Sequence, residues 1–171
     1  MMPALDTSNQ TSNRIMITSE VVDYISRSVL CWLATVDETG QPNVSPKEIF
    51  AAFDAEHIVI ANIASPKSER NIEINSRVCI SFVDIFVQKG FKAIGVARNV
   101  KRSDADFSRW SAPLEAMAGP KFPVRSVFVV QVISVEPIVA PSYRLYAAET
   151  TEKSQVASAL QTYGVNKSGD V

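Results

Sequence analysis

Residues 29–47, VLCWLATVDETGQPNVSPK, decide the fold class, because they read as a strand, a turn and a returning strand. The run 29–36 is dense in apolar and β-branched residues and stops at Asp37-Glu38-Thr39-Gly40, where Gly40 tolerates a positive φ. A second strand is expected over 42–53, interrupted by Pro46. Proline cannot donate to a ladder, so Pro46 marks an edge, a bulge or backbone that faces a ligand.

The segments on either side follow the same pattern. Thr18 or Ser19 caps a helix to about Ser28, with Glu20 in its first turn and Val21, Val22, Ile25 and Val29 at helical spacing. Beyond the turn at Asp54-Ala55-Glu56, strands are expected over 57–61, 78–83, 91–100 and 126–136. A short helix follows Ser65 and ends near Asn75. Another begins at 103–106, with Phe107, Trp110, Leu114 and Met117 on one face and Pro113 making it irregular. Residues 137–148 read as an extended connector, and Thr151 caps a last helix carrying Val156, Ala159, Leu160 and Tyr163. About six strands joined by turns and short helices do not alternate as a parallel α/β sheet does. A small antiparallel barrel with peripheral helices is expected, as one domain over 15–165. The termini 1–14 and 166–171 carry little that packs, and disorder is expected there.

Composition narrows the function classes. The 171 residues hold 17 Lys plus Arg against 18 Asp plus Glu, a net charge of -1, so the basic excess of a nucleic-acid-binding module is missing. The polar start lacks an apolar signal-peptide core, and no apolar run approaches the roughly 20 residues of a membrane helix. Cys31 and Cys79 sit in apolar runs and read as buried free thiols, which suits a reducing cytoplasm. No Gly-rich nucleotide motif occurs, and one histidine with two distant cysteines cannot supply the usual zinc sets. That histidine, His57, opens an apolar strand and reads as structural, with Asp54 and Glu56 as turn residues.

Two segments can hold an anion. In Asn43-Val44-Ser45-Pro46-Lys47, strand alternation sets Ser45 and Lys47 on one face. In Ala64-Ser65-Pro66-Lys67-Ser68, a strand hands over to a helix, and hydroxyls and an ammonium meet the free N–H groups of a helix start. Alone, each reads as ordinary capping and solvated charge; together they suit a terminal phosphate. A third segment, Gln88-Lys89-Gly90-Phe91, offers an amide for a heteroaromatic edge and a glycine that lets a ring or another backbone approach.

These segments, in this order, resemble the FMN-binding split-barrel proteins of the pyridoxamine 5'-phosphate oxidase-like family. The resemblance rests on Cys31 to Asp37, Gly40 to Lys47, Ala61-Asn62, Ser65 to Ser68 with Asn71, and Lys89-Gly90-Phe91 with Gly95, over roughly 17–100. It implies a six-stranded antiparallel split β-barrel with flanking helices, forming a homodimer with FMN at the subunit interface. By the same resemblance, Ser45, Lys47, Ser65, Lys67 and Ser68 hold the phosphate, with Pro46 and Asn71 also in the cofactor site. Ala61, Asn62 and Ile63 lie along the flavin, and Gln88, Lys89 and Gly90 meet its ring or ribityl chain. Trp110 and Phe107 either cover the flavin from the partner or pack the core, and core packing is the preferred reading.

Departures from the family pattern matter for the activity. The Arg-rich phosphate motif of true pyridoxamine phosphate oxidases is replaced by Val44-Ser45-Pro46-Lys47, and Arg144-Leu145 lacks basic neighbours. The expectation is a small flavin-dependent oxidoreductase, with NAD(P)H as a candidate electron donor and no catalytic residue assigned. The alternatives are a non-catalytic flavin carrier, or a related barrel that binds F420 or haem.

Overall fold

The structure, a computed structural model, describes residues 17–165. The segments 1–14 and 166–171, where disorder was expected, lie outside the described residues. The chain opens with helix α1 (Ser19–Arg27), then strands β1 (Cys31–Val36), β2 (Pro42–Lys47), β3 (Phe50–Ala52) and β4 (His57–Asn62). Helix α2 (Pro66–Ile74) leads to β5 (Arg77–Asp84) and the long β6 (Lys89–Lys101). Helix α3 (Phe107–Ala118), β7 (Ser126–Val139), α4 (Ser142–Leu145) and α5 (Glu152–Tyr163) complete it.

The strands form one seven-stranded sheet in the order β2-β1-β5-β6-β7-β4-β3, and every neighbouring pair is antiparallel. Strands β2 and β3 are the two edges of this order, yet only Glu48 and Ile49 separate them in sequence. Laid flat, such edges would stand about 29 Å apart at about 4.8 Å per strand, whereas the link from Lys47 to Phe50 reaches at most about 11 Å. The sheet therefore curls on itself, and Ile49 extends the β3–β4 ladder by accepting a hydrogen bond from the Ala61 N–H at 2.9 Å. The antiparallel split barrel expected from the sequence is present, with seven strands in place of six. The run 42–53, read as one strand, is two strands on opposite edges. The other difference lies at the C-terminal side, where β7 continues to Val139 and the expected extended connector contains the short helix α4.

Local chemistry accounts for the elements. Thr18 caps α1 by accepting from the Val21 N–H at 3.4 Å. In the β1–β2 turn, Asp37 Oδ1 accepts from the N–H groups of Thr39 and Gln41, both at 2.9 Å, and Gly40 takes φ 85°. No atom lies within 4 Å of where a Gly40 Cβ would stand, so Gly40→Ala carries only the backbone penalty. We expect it to lower stability by about 1 kcal/mol, read from chemical denaturation.

Two apolar layers share the sheet. Inside the barrel, Leu33, Ile58, Ile60, Ile80, Phe82 and Phe128 are fully buried, and Val21 and Ile25 of α1 join them. Outside it, α3 lays Trp110 and Leu114 against Val59, Val127 and Val129. Strands β4 and β7 are thus covered on both faces where α3 crosses them. This explains their unbroken apolar runs, in contrast to the alternation of β1. Trp110 and Phe107 belong to this packing, as preferred from the sequence.

Candidate functional site

The β1–β2 hairpin turns Asn43, Ser45 and Lys47 toward the barrel, with Leu33 opposite Ser45 and Cys31 opposite Lys47. Lys47 is only 6% exposed. Its Nζ donates to Ser45 Oγ at 2.9 Å and to Ser65 Oγ. Among the described residues it forms no ion pair with a carboxylate. Burial lowers the Lys47 ammonium below its ordinary 10.5. Neighbouring Cys31 is buried as well, which pushes its thiol up to about 12 and keeps it neutral. A buried cation held by two hydroxyls, with the Phe128 ring centre 5.9 Å from its Nζ, is costly, and an anion delivered to it relieves that cost.

Ser65 reaches Lys47 because of how β4 gives way to α2. Pro66, the first helical residue, starts the helix, and Ser65 occupies the cap position without capping through its side chain. Its hydroxyl accepts from Lys47 instead, so it satisfies none of the N–H groups of the first turn. Asn62 sets the path of this loop. Its Oδ1 accepts from the Ser65 N–H at 3.1 Å, and its Nδ2 donates to Ser126 Oγ at 2.9 Å and Glu69 Oε2 at 3.1 Å.

Behind the loop, Asn71 Nδ2 donates to Thr35 Oγ1 at 3.0 Å, and Asn43 Nδ2 donates to the same oxygen at 3.2 Å and to Ser68 Oγ at 3.4 Å. Ser68 and Asn71 are buried in this layer, which ties α2 to the hairpin. Lys67 is exposed on the first turn of α2.

A cleft of about 270 Å³ opens over Lys47 and Ser65. Pro46, Ile49, Ala61 and Ile63 give it apolar walls, Glu48 and Ala64 complete its rim, and Phe122 reaches it from the loop after α3. Of the residues expected from the sequence, Pro46, Lys47, Ala61, Ile63 and Ser65 line one cleft, and Ser45 touches it through Lys47. Asn62, Ser68 and Asn71 support it from behind. Sequence reasoning missed Ile49 and Phe122. Only the aromatic between Lys121 and Pro123 marked Phe122, and no periodicity linked it to Ser65.

Gln88, Lys89 and Gly90 lie elsewhere, at the β5–β6 turn. Gln88 has φ 55°, and Lys89 Nζ pairs with Glu152 Oε1 of α5 at 2.8 Å while lying 4.3 Å from the Tyr143 ring centre. Gly90 faces the Phe82 carbonyl. Arg144 and Leu145 are exposed on α4. Both cysteines are free, with Cys31 buried as expected and Cys79 half-buried on the outer sheet face. Among the described residues no group of three or more metal-ligating side chains occurs, and no helix is long and apolar enough to cross a membrane.

The outer face of the sheet carries an apolar band. Val44 lies beside Ala34, Ala34 beside Cys79, and Cys79 beside Ile94, and Trp32 flanks the row with 44% of its surface exposed.

Comparison with known proteins supplies the family. A protein-family model described as pyridoxamine 5'-phosphate oxidase matches residues 17–139. No curated protein matches the chain. Among solved structures, HupZ of Group A Streptococcus is 27% identical and superimposes with a TM-score of 0.61, over 70% of this chain and 92% of that one. An FMN-binding protein from Syntrophomonas wolfei subsp. wolfei is 14% identical, with a TM-score of 0.60 over 71% and 88% of the two chains. HutZ, a heme storage protein from Vibrio cholerae, is 23% identical, with a TM-score of 0.55 over 72% and 94%.

Proposed function

The chain belongs to the pyridoxamine 5'-phosphate oxidase family, and on that premise we propose that it is an FMN-binding flavoprotein. In this reading it acts as a small flavin-dependent oxidoreductase on a substrate other than pyridoxamine phosphate. The observation that carries the proposal is Lys47, a buried ammonium with hydroxyl partners and no ion pair among the described residues, at the floor of an open cleft. A phosphate is the natural partner for it. Lys47, Ser45 and Ser65 would supply donors, and the first-turn N–H groups of α2 would add theirs with the positive end of the helix dipole. Ala61, Ile63 and Phe122 offer apolar surface to a ring. When bound, the flavin supplies the electron and hydride transfer, while these residues bind it, orient it and exclude water.

The cleft also supports a dimer. At about 270 Å³ it falls just below the roughly 300 Å³ at which pockets for drug-sized ligands begin. A single protomer is a poor enclosure for a whole flavin mononucleotide. The apolar band of Trp32, Val44, Cys79 and Ile94 provides a surface on which a second copy would bury apolar area and complete the site. The absence of the Arg-rich motif and the exposure of Arg144 argue against pyridoxamine phosphate as substrate.

Haem has weaker support, because His57, the only histidine, lines a separate cleft of just about 200 Å³. F420, with its long acidic tail, calls for more cationic groups than Lys47 with the exposed Lys67 and Arg70 provide. The two free cysteines suit a reducing compartment, and the proposal places the protein in the cytoplasm.

The protein purified without added cofactor should be yellow, run at twice the chain mass, and release one FMN per chain on heating. Mass spectrometry identifies the released compound. A preparation that is colourless and does not take up added FMN overturns the proposal. Oxidation of NADH or NADPH by the yellow protein then separates an enzyme from a carrier.

A further inference from the structure

On the outer face of the sheet, away from Lys47, a second cleft of about 200 Å³ lies over β4, β6 and β7. His57 stands opposite Gln131, and Gln131 opposite Val96, so three strands project these side chains in one row. Val129 and Val96 give an apolar floor, and Trp110 from α3 forms a wall, its ring centre 5.3 Å from that of the imidazole.

The histidine is oriented by a carboxylate that is itself fixed. Asp54 Oδ1 accepts from the backbone N–H groups of Glu56 and His57, both at 2.8 Å. The His57 Nδ1 lies 2.9 Å and 3.0 Å from the two Asp54 oxygens. Burial on its own would raise the Asp54 carboxyl, but the hydrogen bonds from Glu56 and His57 outweigh it and hold the group below 3.8. Asp54 is therefore ionised at neutral pH, and Nδ1 carries the proton directed at it. That leaves Nε2, which has no hydrogen-bond partner among the described residues, as the acceptor of a ring that lines the cleft.

The charges around the cleft are of both signs: Asp54 and Asp106 are carboxylates, and Asp106 Oδ2 accepts from Trp110 Nε1 at 2.9 Å. Arg98 and Arg109 lie 5.5 Å and 4.6 Å from the Trp110 ring centre, and Arg98 also pairs with Asp106.

We propose that this cleft is a second site, which binds a small molecule of one aromatic ring with an acidic hydroxyl and takes its proton. The O–H proton of the phenol moves to His57 Nε2. The electron pair of that bond stays on oxygen as phenolate, and Asp54 remains ionised beside the imidazolium it balances. Gln131 meets the oxygen with its amide, and the apolar floor takes the ring. The inference does not rest on the flavin reading, since it uses none of the residues that line the Lys47 cleft.

His57 is the single histidine, so its ring-proton NMR signal needs no assignment. Titrating the full-length protein as purified with 4-nitrophenol, at a pH where the free probe is mainly neutral, should shift that signal saturably. The same titration should raise the phenolate absorption band of the probe in difference spectra. His57→Gln should bind about tenfold more weakly or worse and give no phenolate band, as loss of a charge-assisted hydrogen bond implies. Asp54→Asn should still bind the probe while losing the band. A wild-type signal that fails to saturate overturns the proposal without any variant, and so does a phenolate band that survives in His57→Gln.

Discussion

Lys47→Met should weaken FMN binding by about 10- to 150-fold, the equivalent of the 1.5–3 kcal/mol that a hydrogen bond to a charged group contributes. The same substitution should stabilise the flavin-free protein. It replaces a buried ammonium, which has no ion pair among the described residues, with an apolar chain of similar length. We expect a gain of about 1 kcal/mol, or about 2–4 °C in the unfolding midpoint for a chain of this size. Opposite signs for affinity and stability separate a binding role from a structural one, because a structural lysine would lose both. Lys67, exposed on the first turn of α2, offers the contrast. Lys67→Ala should cost less than about fivefold, as solvent-screened charges do. Isothermal titration with FMN checks both, and a larger loss for Lys67→Ala would move the phosphate out of the cleft.

The pH dependence of the same group has a definite sign. Burial depresses Lys47 in the folded protein below 10.5, so between that lowered value and 10.5 the unfolded chain binds more protons than the folded one. The contribution of Lys47 to the stability of the flavin-free protein therefore rises with pH through that window. FMN affinity should fall through the same window, because the phosphate needs the ammonium form.

Gly90→Ala should be among the most damaging single-methyl additions to this fold. A Cβ built there would stand 1.9 Å from the Phe82 carbonyl oxygen and 2.9 Å from both the Phe82 carbonyl carbon and the Val83 Cα. All three are backbone atoms, so no side chain can rotate away, and β5 and β6 must part at the Gly90–Val83 pair. A loss of about 3 kcal/mol or more follows, a large share of the roughly 5–15 kcal/mol that holds a domain together. Thermal unfolding followed by circular dichroism measures it. A variant within about 1 kcal/mol of the parent would mean that the ladder yields there more easily than its geometry implies.

Gly90 also shows how far the sequence could be read. The residue was expected to admit a ring or another backbone, and the backbone that approaches is that of Phe82. Ser45 and Lys47 were legible as a pair because strand alternation is a local rule, and they do share a face. The start of α2 was equally legible from Ser65 and Pro66. Lys89 was not, since its charge is engaged by Glu152, on a helix whose docking no local pattern encodes.

The sequence by itself determined the hairpin, the turn at Gly40, the antiparallel class of the sheet and the two segments that carry hydroxyls and ammonium groups. Each depends on periodicity or backbone preference within a few residues. Only the tertiary structure decided that 42–53 divides between opposite edges of one sheet. That division curls the sheet, brings Lys47 to Ser65, and leaves Phe122 to line the same cleft from a distant loop. The physical reason is that alternation states which face a side chain takes, whereas strand order, which sets what that face meets, follows from burying the whole apolar surface at once.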